Sequence, residues 1–68
     1  MSVARVSKIV SASNKSFDDA VSSGLARAAK TVRGIKGVEI IRQNATVNKG
    51  KIAEYRVTME ITFVLEGS

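Results

Sequence analysis

Six carboxylates, eleven cations and a scatter of hydroxyls are the groups with which this 68-residue sequence could do chemistry. The chain has no Cys and no His. That removes the thiolate nucleophile, the usual general base at neutral pH and the ordinary zinc ligands. The serines fall in turns, at a helix start or along a polar helix side, with no base placed to activate them. Asp18 and Asp19 suit the positive pole of a helix N-terminus, and Glu39, Glu54, Glu60 and Glu66 lack metal-ligand spacing. Gly34 and Gly37 flank a helix end and form no phosphate-cradling loop. The expectation is a protein that is not an enzyme and holds no metal through side chains of this kind.

The cations point elsewhere. Arg56 lies in a strand-patterned run, where its planar fork of donors suits a carboxylate or phosphate; a salt bridge to Glu39 or Glu60, within one sheet or between subunits, would use it equally well. Arg42 and Lys51 add positive charge near the same strands, and Lys36 is expected to be an exposed, solvated side chain. A net charge of +5 suits nucleic acid, a membrane surface or a small anion. Nucleic acid is disfavoured, because Arg27, Lys30 and Arg33 sit at the end of a helix whose negative pole they complement. One Tyr and two Phe also leave little for base stacking.

The elements that position these groups are legible from periodicity. Val3 to Val10 has strand character, with Val6 and Val10 on one face and Val3 and Ile9 suggesting burial on both. Ser11 to Lys15 is small and polar, as in a turn. Ser16 and Asp19 have the spacing of a capping box, in which Ser16 accepts from the third helical amide and Asp19 reaches back. From Phe17, apolar residues at Ala20, Val21, Leu25, Ala28, Ala29 and Val32 form one helical stripe, with Gly24 inside it allowing a strand close by. Gly34 supplies a left-handed stop.

After Ile35 the period becomes two: Val38 and Ile40 on one face, Glu39 and Ile41 on the other, continuing to Val47. Asn48-Lys49-Gly50-Lys51 is a hairpin turn. Tyr55, Val57, Met59, Ile61, Phe63 and Leu65 then alternate with Arg56, Thr58, Glu60, Thr62 and Glu66, Val64 being the exception, with one face for the helix and one polar but β-branched. The fold class is α+β: a β-α-β-β subunit with a three-stranded antiparallel sheet wrapped around one helix, a single domain over residues 1–68.

Such a chain buries only about 60% of its unfolded surface, and ordering it costs on the order of 1.5 kcal/mol per residue. With no disulfide or metal to staple it, self-association is the remedy left, and a long strand edge with few Lys and no Pro invites it. No apolar run approaches the ~20 residues of a membrane span, and the N-terminus has no charged and apolar export signal. The chain is expected to be soluble, cytoplasmic and free of membranes.

The ordered set of Val3 to Val10, then Ser11-Ala12-Ser13-Asn14-Lys15-Ser16-Phe17-Asp18-Asp19-Ala20-Val21, then Ala26-Arg27-Ala28-Ala29-Lys30-Thr31-Val32-Arg33, and finally Tyr55 to Glu66 resembles the dodecin family over nearly the whole chain. The resemblance implies a hollow homododecamer that binds flavins (FMN, FAD or riboflavin) and keeps them from photochemistry and electron transfer. It also implies a flavin site at Gly37, Val38 and Arg56. In the family a Trp stacks on the flavin where this sequence has Gly37 in Ile35-Lys36-Gly37-Val38-Glu39-Ile40, and a Gln reads the flavin edge where it has Arg56 in Tyr55-Arg56-Val57. A Gly offers no ring, forfeiting on the order of 1 kcal/mol or more of stacking, and Arg cannot accept a hydrogen bond. Those positions favour a small anionic or planar ligand in an open cationic pocket. A storage shell for such a ligand, a flavin-free structural or ion-binding assembly, and nucleic-acid binding are the readings left, in that order.

Overall fold

The alternation that ends the chain makes its central strand. In the computed structural model, which describes residues 3–65, β1 (Ala4–Ser13), α1 (Phe17–Ala28), β2 (Ile35–Asn48) and β3 (Lys51–Val64) follow in order. They form an antiparallel sheet of order β1-β3-β2. The β-α-β-β architecture is thus present, with the longest alternating run in the middle rather than at an edge. Glu66 lies outside the described residues.

The core forms where α1 meets the odd-numbered face of β3. Val57, Met59 and Ile61 are buried there together with Ala20 of the helix, and Ile9, Phe17 and Val21 pack around them. Phe17 stands edge-on to Tyr55, ring centres 5.0 Å apart, a geometry in which the positive ring edge meets the negative face. The alternation of β3 is therefore the signal for the core.

β1 runs three residues further than its apolar pattern suggests, so Ser11, Ala12 and Ser13 are strand and the turn is Asn14–Lys15. Its valines also point the other way. Val6 and Val10 are 59% and 66% exposed on the face opposite the helix, which no second layer covers, whereas Ile9 lies towards the core. Small residues, Ser11 among them, line the helix side of β1 because the helix comes close.

Gly24 is the point of closest approach. A Cβ built there would lie 2.7 Å from Met59 Cε, 2.7 Å from Ser11 Cβ and 2.8 Å from Ser11 Oγ. Gly24→Ala would gain roughly 1 kcal/mol of helix propensity against an overpacking penalty of about 1–3 kcal/mol. The Ser11 Cβ sits on strand backbone and cannot swing aside as Met59 Cε can. We therefore expect a lower melting temperature by circular dichroism; an unchanged or raised one would show that β1 yields.

The helix begins as its sequence demands: Ser16 Oγ accepts from Asp19 N–H at 2.9 Å. The reciprocal half of the box is absent, because the Asp19 carboxylate instead accepts from Ser13 Oγ at 2.6 Å. Ser13 in turn accepts from Lys15 N–H at 2.9 Å, so one nearly buried hydroxyl ties the end of β1 to the helix start.

The helix stops at Ala28, well before Gly34. Ala29 caps it, with right-handed helical dihedrals (φ −65°, ψ −17°) and its N–H donating to Leu25 O, and Val32 N–H donates to Ala28 O in a further turn, which preserves the helical spacing of Val32 beyond the helix proper. Gly34 has φ +75° but serves the sheet: its carbonyl accepts from Val64 N–H at 3.0 Å, and a Cβ would sit 2.8 Å from Val64 O. At the other end of β2, Lys49 and Gly50 both have positive φ, 52° and 78°, as a two-residue type I′ hairpin requires.

β2 is left uncovered. The helix packs on β1 and β3, and β2 remains exposed for nearly its whole length, with Val38 and Ile40 each 40%, Ile41 45% and Val47 66% accessible. The protomer measures 52 × 19 × 13 Å with a radius of gyration of 14.0 Å, whereas a compact chain of this length would have about 11 Å. No helix among the described residues is long and apolar enough to cross a membrane.

Candidate functional site

Register decides which candidate residues share a face. Paired residues in an antiparallel ladder point to the same side. β2 carries irregularities between Ile35 and Gly37 and between Ile40 and Arg42, each shifting the alternation by one. Gly37 consequently pairs with Thr62, on the outer face away from the helix, whereas Val38 pairs with Ile61 on the helix side. Beyond the second irregularity, Arg42, Asn44 and Thr46 pair with Thr58, Arg56 and Glu54 and rejoin the outer face.

Within one protomer the three residues singled out do not converge. Gly37 and Arg56 share the outer face but are six β3 positions apart through Thr62, about 20 Å at strand rise, and Val38 lies on the reverse. Any single pocket holding all three has to be built from more than one copy. Space for a ligand exists at Gly37: a Cβ there would meet nothing within 4 Å.

Within the protomer Arg56 has a definite partner, and it is neither Glu39 nor Glu60. Its Nε donates to Glu54 Oε1 at 2.7 Å, the two side chains 50% and 39% exposed. Glu39 and Glu60 are too far along the sheet; they face each other instead, directly paired, with Lys8 paired to Glu60 from the other side. Two carboxylates opposite one another repel, and Lys8 offsets part of that. Glu54 and Asn44 are the members of the Arg56 neighbourhood that sequence reasoning passed over. The two-residue spacing of Glu54 and Arg56 within one strand was signal enough, since i and i+2 share a face.

Chemically, the outer face offers a fixed, half-exposed guanidinium. Only its Nε is engaged by Glu54 among the described residues, leaving the terminal amino groups to donate to an anion. The described residues contain no cluster of three or more His, Cys, Asp or Glu able to hold a metal. A separate open cleft of about 330 Å³ lies on the helix side over β1, lined by Ile9, Ser11, Gly24, Ala28 and Arg27 among others, with neither Gly37 nor Arg56 in it.

Comparison with known proteins bears on the family and the fold. The family model described as Dodecin matches residues 3–66. The dodecin of Thermus thermophilus is 32% identical over 59 residues, covering 87% of this chain and 86% of that one. The structure of the dodecin from Streptomyces davaonensis superposes with a TM-score of 0.92 at 32% identity, over 96% of each chain. That of a calcium dodecin from Mycobacterium tuberculosis, described as a calcium-chelating antigen with a novel calcium-binding site, gives 0.82 at 31% identity, over 97% of this chain and 94% of that one.

Proposed function

Since the chain belongs to the dodecin family, we propose that it is one subunit of a closed homo-oligomeric shell, a homododecamer, that binds and stores a small anionic ligand between its copies. The observation that carries this reading is uncovered β2: a 14-residue edge strand with apolar side chains open to solvent in an elongated protomer. Such an edge pairs or is covered in a stable protein, and identical copies supply the cover with closed symmetry. The role is binding rather than catalysis.

Arg56 favours the charged members of the family's ligand class. A phosphate gives its free amino groups a bidentate acceptor, whereas an isoalloxazine finds no ring at Gly37 to stack on. FMN and FAD are thus preferred to riboflavin. Titration followed by flavin fluorescence tests this: FMN should be quenched at a concentration at least about tenfold lower than riboflavin, a difference of about 1.4 kcal/mol. Arg56→Gln should erase the difference. Equal affinities, or a preference that survives the substitution, would count against the phosphate role of Arg56.

A flavin-free, ion-binding shell is the second reading. It draws on Glu39 facing Glu60 across the outer sheet, a juxtaposition that a cation between copies would relieve. Calorimetric titration with calcium in place of flavin separates the two.

A further inference from the structure

Charge is segregated on this chain in a way that the fold does not explain. The β-register sorts the outer face evenly, Lys8, Arg42 and Arg56 sharing it with Glu39, Glu54 and Glu60. Asp18 and Asp19 stand at the helix start. From Ala20 to Val38 the sequence contains no acid, and its charged residues are Arg27, Lys30, Arg33 and Lys36, at intervals of three.

This stretch leaves the helix and rejoins the sheet where Gly34 O accepts from Val64 N–H. At that end of the sheet Ala4 pairs with Val64 and Arg5 with Phe63, which brings Arg5 to the same end. All five cations are exposed, and none makes an ion pair or side-chain hydrogen bond among the described residues.

The helix pole accounts for only one of them. Arg27 lies in the last turn, but the helix ends at Ala28, and the carbonyls of Leu25 and Arg27 already accept from Ala29 and Lys30 N–H. Lys30, Arg33 and Lys36 come after it. Clustered like charges repel and lower the stability of the folded state, so a strip of them with no partner among the described residues invites an anionic counterpart.

We infer that this strip binds a phosphodiester chain, the backbone of a nucleic acid held without regard to sequence. Cations spread along ten residues of chain match a ligand whose charges repeat, rather than one small anion. Base stacking has little to draw on: Phe17 and Tyr55 are packed on each other at the helix start, Phe63 is half-buried on β3 opposite Arg5 and Ile35, and the strip itself contains no aromatic residue. Attraction then rests on phosphate contacts and counterion release. An anionic membrane would engage the same cations, but the strip has no exposed aromatic anchor to seat in a headgroup layer; Val32 and Ile35 are half-buried. Arg27, Lys30 and Arg33 precede β2, and only Lys36 lies in that strand, beside Gly37.

The test is anisotropy of a labelled mixed-sequence duplex of about 30 base pairs, titrated with the assembled protein between about 50 and 200 mM salt. The variants are Lys30→Gln/Arg33→Gln/Lys36→Gln in the strip and Lys49→Gln/Lys51→Gln at the hairpin tip. The parent should bind at low salt and release steeply as salt rises. The strip variant should bind at least about tenfold more weakly, its salt slope shallower by about one per cation removed. The tip variant should stay within about threefold of the parent.

Failure of the parent to bind at the lowest salt, or equal losses from strip and tip, would overturn the inference. So would tighter binding to phosphatidylserine vesicles than to the duplex, which would move the surface to membranes. Light scattering must show the parent's mass for each variant. If the triple variant disassembles, Lys30→Gln alone decides, with a slope lower by about one or unchanged.

Discussion

Ile61→Asp is expected to yield no folded protein at any concentration, seen as the loss of a cooperative transition in far-ultraviolet circular dichroism. Ile61 is 1% exposed, on the helix side of the central strand, between Ser7 on β1 and Val38 on β2. Removing its side chain from the core forfeits about 2–3 kcal/mol of burial. Placing an unpaired carboxylate there adds several kcal/mol more. A chain this short has roughly 3–10 kcal/mol of stability in all, so the substitution exceeds or consumes it. Ile61→Val, which trims one methylene, should cost only about 0.5–1.5 kcal/mol and keep a sharp melt. A normal melt for the aspartate variant would mean that β3 does not carry the core.

The second large effect concerns assembly. Val38→Lys/Ile40→Lys alters two half-exposed residues of β2 and, in a lone protomer, loses about 1 kcal/mol at each. In a shell that covers β2, the same lysines must be desolvated at every repeat of the interface, at several kcal/mol per buried charge. Sedimentation velocity should therefore show the parent as one large species and the variant as small, weakly structured chains. A variant that sediments at the parent's mass would show that this face of β2 is not an interface and would remove the main support for the shell.

The strands and the helix start were legible because each rests on a local rule. Alternation along β3 marks Val57, Met59 and Ile61, and the Ser16 cap is a contact over three residues. The helix end was not legible. Ala29 and Val32 keep helical spacing in a turn, and Gly34 has the conformation of a stop while serving a contact with Val64 that only the tertiary fold creates. Nor were the irregularities in β2: one extra residue near Lys36 and another near Ile41 put Gly37 and Val38 on opposite faces, which no pattern of apolar residues announces. The outward valines of β1 misled for a related reason, since hydrophobic side chains mark burial without saying whether the cover comes from the same chain. For the candidate site, the positions could be named but their separation of about 20 Å could not, because register is a property of the pair of strands.

The order of the sheet has a consequence for how the chain is made. β3 is the central strand and also follows every other element, so α1 can meet β1 early, but neither β1 nor β2 has a strand to pair with until β3 emerges from the ribosome. At about 5–20 residues per second, the first strand waits seconds for the partner of its hydrogen-bond ladder. The nascent chain thus depends on its own weak stickiness, on charge repulsion among its many lysines and arginines, or on a chaperone until Val64 is in hand.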